Sequence, residues 1–248
     1  MSKHEDAKVV FITGAAHRIG AAMTRHLHAL GMNVIVHYRN SHAAAESLKH
    51  ELEAQRPNSI HLVNGNLREI QSLPLLIKSA YDWHGRLDVL INNASSFYPT
   101  PLNKVSEEQW NDLLECNLKA PFFLSNAAAD HLRERRGCII NIVDIHAERP
   151  LKGYPVYSIA KAGLAMLTKS LARELAPDIR VNAIAPGAIL WPEIEASSKI
   201  RKQIIANTAL KRQGDPSDVA NAATYLILNS GYITGQILTV DGGRSLSN

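Results

Sequence analysis

Short, continuously apolar runs alternate along the chain with longer segments whose apolar residues recur at helical spacing. Val9-Val10-Phe11-Ile12-Thr13 is rich in β-branched and aromatic residues, the make-up of a strand buried on both faces of a parallel sheet. From Ile19 the apolar positions Ala22, Met23, Leu27 and Leu30 follow one helical face until Gly31, a suitable C-terminal stop. Asn33-Val34-Ile35-Val36-His37-Tyr38 then reads as a second strand, which closes a strand-helix-strand unit. The pattern repeats: helix over 42–55, strand over 59–63, helix over 69–84 and strand over 87–92. Beyond it come helical stretches near 106–134, a strand at 138–143, a helix through Tyr157 to about 175 and a strand at 179–184. Helices over 193–206 and 216–228 precede a last strand at 237–240. Alternation this regular predicts a parallel sheet with helices on both faces. No linker, repeat or low-complexity tract divides residues 1–248, so one domain is expected.

Composition adds mainly exclusions. The 248 residues are 46% apolar and 20% charged, ordinary for a chain that buries a sizeable core. The net charge of +4 comes from scattered Lys and Arg, without the runs that would make a nucleic-acid or membrane arm, and suits anionic ligands. Cys116 and Cys138 make neither a disulfide framework nor a metal-binding pair, and the dispersed histidines include no His-x-x-x-His backed by acids, so no metal is expected. No apolar run approaches membrane-spanning length, and Met1-Ser2-Lys3-His4-Glu5-Asp6 lacks an apolar signal region, which makes the cytoplasm the expected location.

Two stretches carry candidate chemistry. Thr13-Gly14-Ala15-Ala16-His17-Arg18-Ile19-Gly20 joins the first strand to the first helix, where unpaired N–H groups and the positive dipole end suit a pyrophosphate. Gly14 permits the tight turn and Gly20 close packing of the helix. The second strand ends in His37-Tyr38-Arg39-Asn40-Ser41, with no acid before Glu46 to hold ribose hydroxyls. Arg39, helped by Asn40 and Ser41, therefore points to a 2′-phosphate, and so to NADPH over NADH. Asn92-Asn93-Ala94-Ser95 ends the fourth strand at the sheet's carboxyl edge, where ligands of such folds bind. The other stretch, Tyr157-Ser158-Ile159-Ala160-Lys161, sets a phenol and an ammonium one helical turn apart on one face. A fixed cation beside a phenol favours the phenolate, so the pair predicts a proton donor of lowered pKa.

In their order and spacing, Thr13-Gly14…Gly20, Asn92-Asn93-Ala94, Asn117, Tyr157-x-x-x-Lys161 and Pro186-Gly187 resemble the short-chain dehydrogenase/reductase family over nearly the whole chain. The resemblance implies an α/β Rossmann-type doubly wound parallel sheet of seven strands in the order 3-2-1-4-5-6-7, a homotetramer and nicotinamide hydride chemistry. It implies cofactor contacts at Gly14, His17, Arg18, Ile19 and Gly20, at His37, Tyr38, Arg39, Asn40 and Ser41, and at Asn66 and Leu67. Further contacts are implied at Asn93, Ala94, Ser95, Lys161, Pro186 and Gly187. A substrate flap is implied near 189–208, and His146 and Trp191 are candidates to approach the substrate pocket. Asp241-Gly242-Gly243-Arg244-Ser245 is a candidate to close a neighbouring subunit's site.

Several positions depart from the common family pattern. Arg18 replaces the middle glycine of the first motif, Ser95 the glycine after Asn-Asn-Ala, and Asp144 the catalytic serine; all three are similar to pteridine reductases, as is Phe97-Tyr98-Pro99. Asn66 stands where the family usually has Asp, and its amide oxygen can still accept from the adenine amino group. A carboxylate at 144 would oppose a developing oxyanion in a ketone reductase, whereas a pterin ring nitrogen must gain a proton as a neighbouring carbon gains hydride. The resemblance thus implies Tyr157 as proton donor, Lys161 lowering its pKa and holding ribose hydroxyls, Asp144 orienting or feeding Tyr157, and Asn117 holding a relay water. Phe97 would stack on the pterin and Arg18 reach its electron-rich edge, while Ser95 either bonds the pterin or fills the glycine's space. The expected substrate is a pterin or folate. The alternatives are a carbonyl reductase of 3-oxoacyl thioesters or sugars and a catalytically silent NADPH-sensing protein.

Overall fold

The computed structural model describes residues 7–190 and 198–246. Seven strands, β1 (Val9–Ile12), β2 (Asn33–Tyr38), β3 (Ile60–Asn64), β4 (Val89–Asn92), β5 (Cys138–Ile142), β6 (Arg180–Pro186) and β7 (Ile237–Val240), make one sheet in the order β3-β2-β1-β4-β5-β6-β7. Every pairing is parallel, as the alternating pattern predicts. All carboxyl ends therefore share one edge, and the strand order reverses between β1 and β4, the place where open sheets of this kind form a ligand crevice.

Period-two alternation sends Val9 and Phe11 into one core and Val10 and Ile12 into the other. The first core is closed by α3 (Leu73–His84), α5 (Ala120–Glu134) and α6 (Pro155–Glu174), through residues such as Ile77, Leu124 and Leu164. The second is closed by α1 (Arg18–Ala29), α2 (His42–Glu53) and α8 (Pro216–Leu228), through Met23, Leu48 and Val219. Each such side chain contributes about 1.5–3 kcal/mol on burial, and burial on both faces is why β1 and β2 read as unbroken apolar runs. At the sheet's edge, β7 keeps Leu238 38% exposed.

The helical stretches expected near 106–134 are two, joined by a break. After α4 (Glu107–Leu114), begun by a Ser106–Gln109 capping box, residues Glu115–Lys119 form a π-helical turn in which the Ala120 N–H reaches the Glu115 carbonyl. Pro121 has no N–H to offer the Asn117 carbonyl four residues back, so the regular ladder cannot run through. The break places Asn117 at the site. The helix expected over 193–206 is seen as α7 (Ser198–Ala206); Trp191 and the start of that stretch lie outside the described residues.

Candidate active site

The turn after β1 is held by side chains from β4 and β2. The Thr13 Oγ1 accepts from the backbone N–H groups of Asn93 and Ala94, both at 2.9 Å. The Asn93 amide donates to the carbonyls of Thr13 at 2.8 Å and Gly14 at 3.0 Å. Gly14 has φ +59°, and a Cβ there would lie 3.0 Å from the Ala94 Cα. A Cβ on Gly20 would collide with the Gly14 carbonyl and come within 2.8 Å of the Asn93 amide nitrogen. Backbone crowding thus explains both glycines, and the cradle fits a pyrophosphate at the start of α1. Thr13 opens the motif, and its side chain adds to it a bracing role towards Asn93 and Ala94 that the motif alone does not reveal.

His37 lies behind this turn, buried. Its Nδ1 accepts from the Gly14 N–H at 3.2 Å, while Nε2 meets the Gly65 carbonyl at 3.1 Å. A carbonyl only accepts, so the proton must reside on Nε2 and the ring must be neutral to serve both partners. Burial agrees, holding the His37 pKa down to about 4. The side chain supports the phosphate turn through Gly14. Tyr38 is also buried, its hydroxyl paired with His42 Nδ1 at 2.8 Å. Arg39 and Asn40 are exposed at the end of β2, with Ser41 half-buried before α2, where a cofactor phosphate could be met. His17 caps α1 in an extended conformation, and Arg18 begins it at φ +52° beside half-buried Ile19. Beyond β3, Asn66 bonds Glu69 and the Arg68 N–H, and Leu67 is buried.

The reacting end lies beyond β4, β5 and β6. The Tyr157 hydroxyl donates to Asp144 Oδ2 at 2.8 Å, while Oδ1 accepts the His146 N–H at 2.9 Å and so starts the turn Ile145–Ala147. Lys161 is fully buried on the same face of α6, donating to the Ile142 carbonyl at 2.9 Å, with Nζ 5.7 Å from the centre of the Tyr157 ring. Burial brings the Lys161 pKa down to about 8, against the opposing pull of Asp144. The phenol departs from expectation. Burial first, then the charge and hydrogen bond of Asp144, push its pKa well above 10.0, with the Ser95 hydroxyl pulling the other way. The ammonium is turned to a carbonyl and lies over the ring, so the carboxylate governs the hydroxyl proton in this state.

Asn117 accepts from the Ser95 hydroxyl at 2.6 Å and donates to the carbonyls of Ser96 and Leu113 at 3.0 and 2.9 Å. It locks the loop after β4, leaving one lone pair of its amide oxygen for a water. Ser95 thereby has a partner within the chain. Phe97 stacks on Tyr154, with ring centres 4.7 Å apart, and meets Tyr157 edge-on at 4.8 Å. Tyr154, absent from the sequence-derived set, heads α6 three residues before Tyr157, a helical spacing that could have found it. Gly187 follows Pro186 at the end of β6 and lies against Asp241, leaving no room for a Cβ. Arg244 is near enough to this chain's Asp144 and Asp241 for both charges to act on it, which places the C-terminal turn by its own chain's site. Among the described residues no cluster of three or more His, Cys, Asp or Glu could hold a metal ion, and no helix is long and apolar enough to cross a membrane.

A doubly wound sheet with a phosphate turn, a buried Tyr-Lys pair and an acid on the Tyr defines a nucleotide-dependent oxidoreductase site. Residues 14–245 match the family model described as enoyl-(acyl carrier protein) reductase, and the chain belongs to the short-chain dehydrogenase/reductase family. It is 35% identical to pteridine reductase 1 of Leishmania tarentolae, over 100% of this chain and 99% of that protein. It is also 35% identical to the 3-oxoacyl-[acyl-carrier-protein] reductase FabG of Staphylococcus aureus, over 95% of this chain and 97% of the relative. The same identity holds to 3beta-hydroxysteroid dehydrogenase 1 of Eggerthella lenta, over 96% and 94%.

Proposed function

We propose that this oxidoreductase reduces pteridines with NADPH, converting dihydropterins to tetrahydropterins. The reading rests on the hydrogen bond from Tyr157 to Asp144, a carboxylate poised behind a proton donor. A ketone reductase must stabilise a growing oxyanion, which a carboxylate beside the proton donor opposes. A pterin nitrogen instead needs a proton delivered, and an acid that can hold and pass one assists. The likeness to a pteridine reductase over the full chain adds support.

NADPH, when bound, supplies the hydride. The turn that Gly14 and Gly20 allow would take its pyrophosphate, and Arg39 at the exposed end of β2 supplies the charge for its 2′-phosphate. Phe97, braced by Tyr154, offers a ring for the flat heterocycle, and Asn117 holds the Ser95 loop at its edge. Tyr157 gives its proton to the ring nitrogen, and Asp144, after taking up a proton from solvent, passes it to the phenolate, which beside a carboxylate would otherwise be strongly disfavoured. Lys161 supplies the positive charge that limits this cost and, as the family resemblance implies, would hold ribose hydroxyls. The exposed Phe122 and Phe123 of α5 and Ile159 and Met166 of α6 are apolar surface suited to the homotetramer we assign to it.

A second reading, reduction of 3-oxoacyl thioesters, is favoured by the equal identity to FabG. Loss of NADPH absorbance with dihydrobiopterin, compared with acetoacetyl thioester, separates the two. Turnover with the pterin is expected, turnover with the thioester alone would reject it, and binding of NADPH without turnover of either would indicate a sensor.

A further inference from the structure

Phe97 lies between two anchored neighbours. On one side the Asn117 amide accepts from the Ser95 hydroxyl at 2.6 Å and donates to the Ser96 carbonyl at 3.0 Å. On the other the Tyr98 hydroxyl donates to Asp112 Oδ2 at 2.9 Å. Burial first, then the Asp112 bond, push the Tyr98 phenol up to about 12, so it keeps its proton and remains the donor. Both anchors belong to one stretch, Asp112 to α4 and Asn117 to the π-helical turn that follows it. A single side chain from the loop after β3 grips that stretch: Arg68 donates from Nε to Glu115 Oε2 at 2.9 Å and from Nη1 to Asp112 Oδ1 at 3.2 Å. Asp112 thus gives one oxygen to Arg68 and the other to Tyr98. Arg68 directly follows the cofactor candidates Asn66 and Leu67, and its backbone N–H donates to the Asn66 amide oxygen at 3.2 Å.

We infer that Arg68 is a positioning residue that ties the adenosine end of the cofactor site to the ring platform, so that filling the one orders Phe97 for the other. The inference rests on the NADPH and pteridine readings and extends them by joining their two subsites. An adenine amino group on the Asn66 oxygen shares that acceptor with the Arg68 N–H, which fixes the backbone from which the guanidinium extends. The planar guanidinium then sets two carboxylates at once, through donors whose directions are fixed. Asp112 carries the setting to Tyr98, and Glu115 carries it through the π-helical turn to Asn117 and Ser95. Phe97 stacks on Tyr154 and meets the edge of Tyr157, so its placement bears directly on the proton donor. Stability does not account for the arrangement. Arg68 is 37% exposed, and ion pairs so open to water add little to the fold. Glu115 also has Lys119 at 3.7 Å, so it keeps a cation without Arg68.

The probe is 2′,5′-ADP, which carries the adenosine and 2′-phosphate of NADPH but no nicotinamide, and so cannot stack on a pterin. Its binding is measured by calorimetry, and backbone hydrogen exchange is followed in peptides covering residues 95–104. In the wild-type chain saturating 2′,5′-ADP should slow that exchange about fivefold, the low end of coupling between sites. Arg68→Met should abolish the slowing while still binding 2′,5′-ADP, and should raise KM for dihydrobiopterin by a similar factor with kcat nearly unchanged. A merely structural role would speed exchange with and without the probe and leave their difference in place. Arg68→Lys, which keeps the charge without the two fixed donors, should recover only part of the slowing. Tyr98→Phe removes one hydroxyl and with it one anchor, so it should lose part of the slowing, and it decides if Arg68→Met melts early. Bound 2′,5′-ADP without slowing in the wild-type chain, or wild-type slowing and KM in both Arg68→Met and Tyr98→Phe, would overturn the link and leave the pteridine reading standing. No binding of 2′,5′-ADP would overturn the NADPH reading and the link together. Slowing as expected, without turnover of any dihydropterin, would uphold the link and overturn the pteridine reading alone.

Discussion

At Tyr157 the proton is held where either charge state has a cost. The phenol is buried, its hydroxyl is 2.8 Å from a carboxylate, and its pKa is raised by both, so a phenolate formed by proton donation needs compensation at once. Asp144 and Tyr157 therefore act as a pair, in which Asp144, once protonated from solvent, resupplies the phenolate after the phenol's own proton has gone to the substrate. Tyr157→Phe removes the donor and Asp144→Ala its supply, and each should lower dihydropterin turnover by at least about tenfold, the usual scale of general-acid assistance. Asp144→Asn separates positioning from supply. Its amide oxygen can still accept from Tyr157 or His146, but the group cannot carry a proton, so turnover should remain low while NADPH affinity, measured by fluorescence titration, stays near that of the wild-type chain. Turnover close to normal in Asp144→Asn would reduce Asp144 to a positioning residue.

At the scale of elements, the phosphate turn shows how little freedom the packing leaves. Gly20 faces the Gly14 carbonyl and the Asn93 amide, so Gly20→Ala must push α1 away from β4 or break the Asn93 bonds. Overpacking of this kind costs about 1–3 kcal/mol, and the melting temperature should drop by several degrees. NADPH affinity should weaken as well, and an alanine variant with both values unchanged would show that the turn can shift without loss. The turn was legible in the sequence because Gly14 and Gly20 lie on one short segment between a strand and a helix, and the Tyr157–Lys161 pair because four residues make about one turn. Helix and strand placement followed from the same local periodicity, the strand order only from the family resemblance. Contacts between distant segments were less legible. Nothing in spacing brings Arg244 near Asp144, or His37 behind Gly14 and against Gly65. Pro121 was a readable signal of the break at Asn117, overlooked because apolar periodicity continues through it.

Across the whole molecule, acid sensitivity should reflect the histidines before the carboxylates. His28, His37, His61 and His84 all belong to the β2–β3 half of the fold, and burial lowers the pKa of each. A histidine whose folded pKa is depressed takes up its proton more readily when unfolded, so the stability present above the unfolded pKa is lost as pH falls towards the folded one. For His37 that window runs from 6.5 to about 4, and such a shift amounts to on the order of 3 kcal/mol. Carboxylates with lowered pKa add their losses only below their ordinary values, 4.5 for Glu51 and 3.8 for Asp241. Urea unfolding should therefore show the midpoint falling already between pH 6.5 and 4.5, before acid titration of those groups contributes. His37→Asn supplies the decisive comparison, because an amide can still accept from the Gly14 N–H but does not titrate. Its midpoint should be lower than that of the wild-type chain at pH 7 and fall less steeply towards pH 4.5. Parallel pH profiles for the two chains would mean that the neutral ring behind the phosphate turn is not what ties this fold to pH.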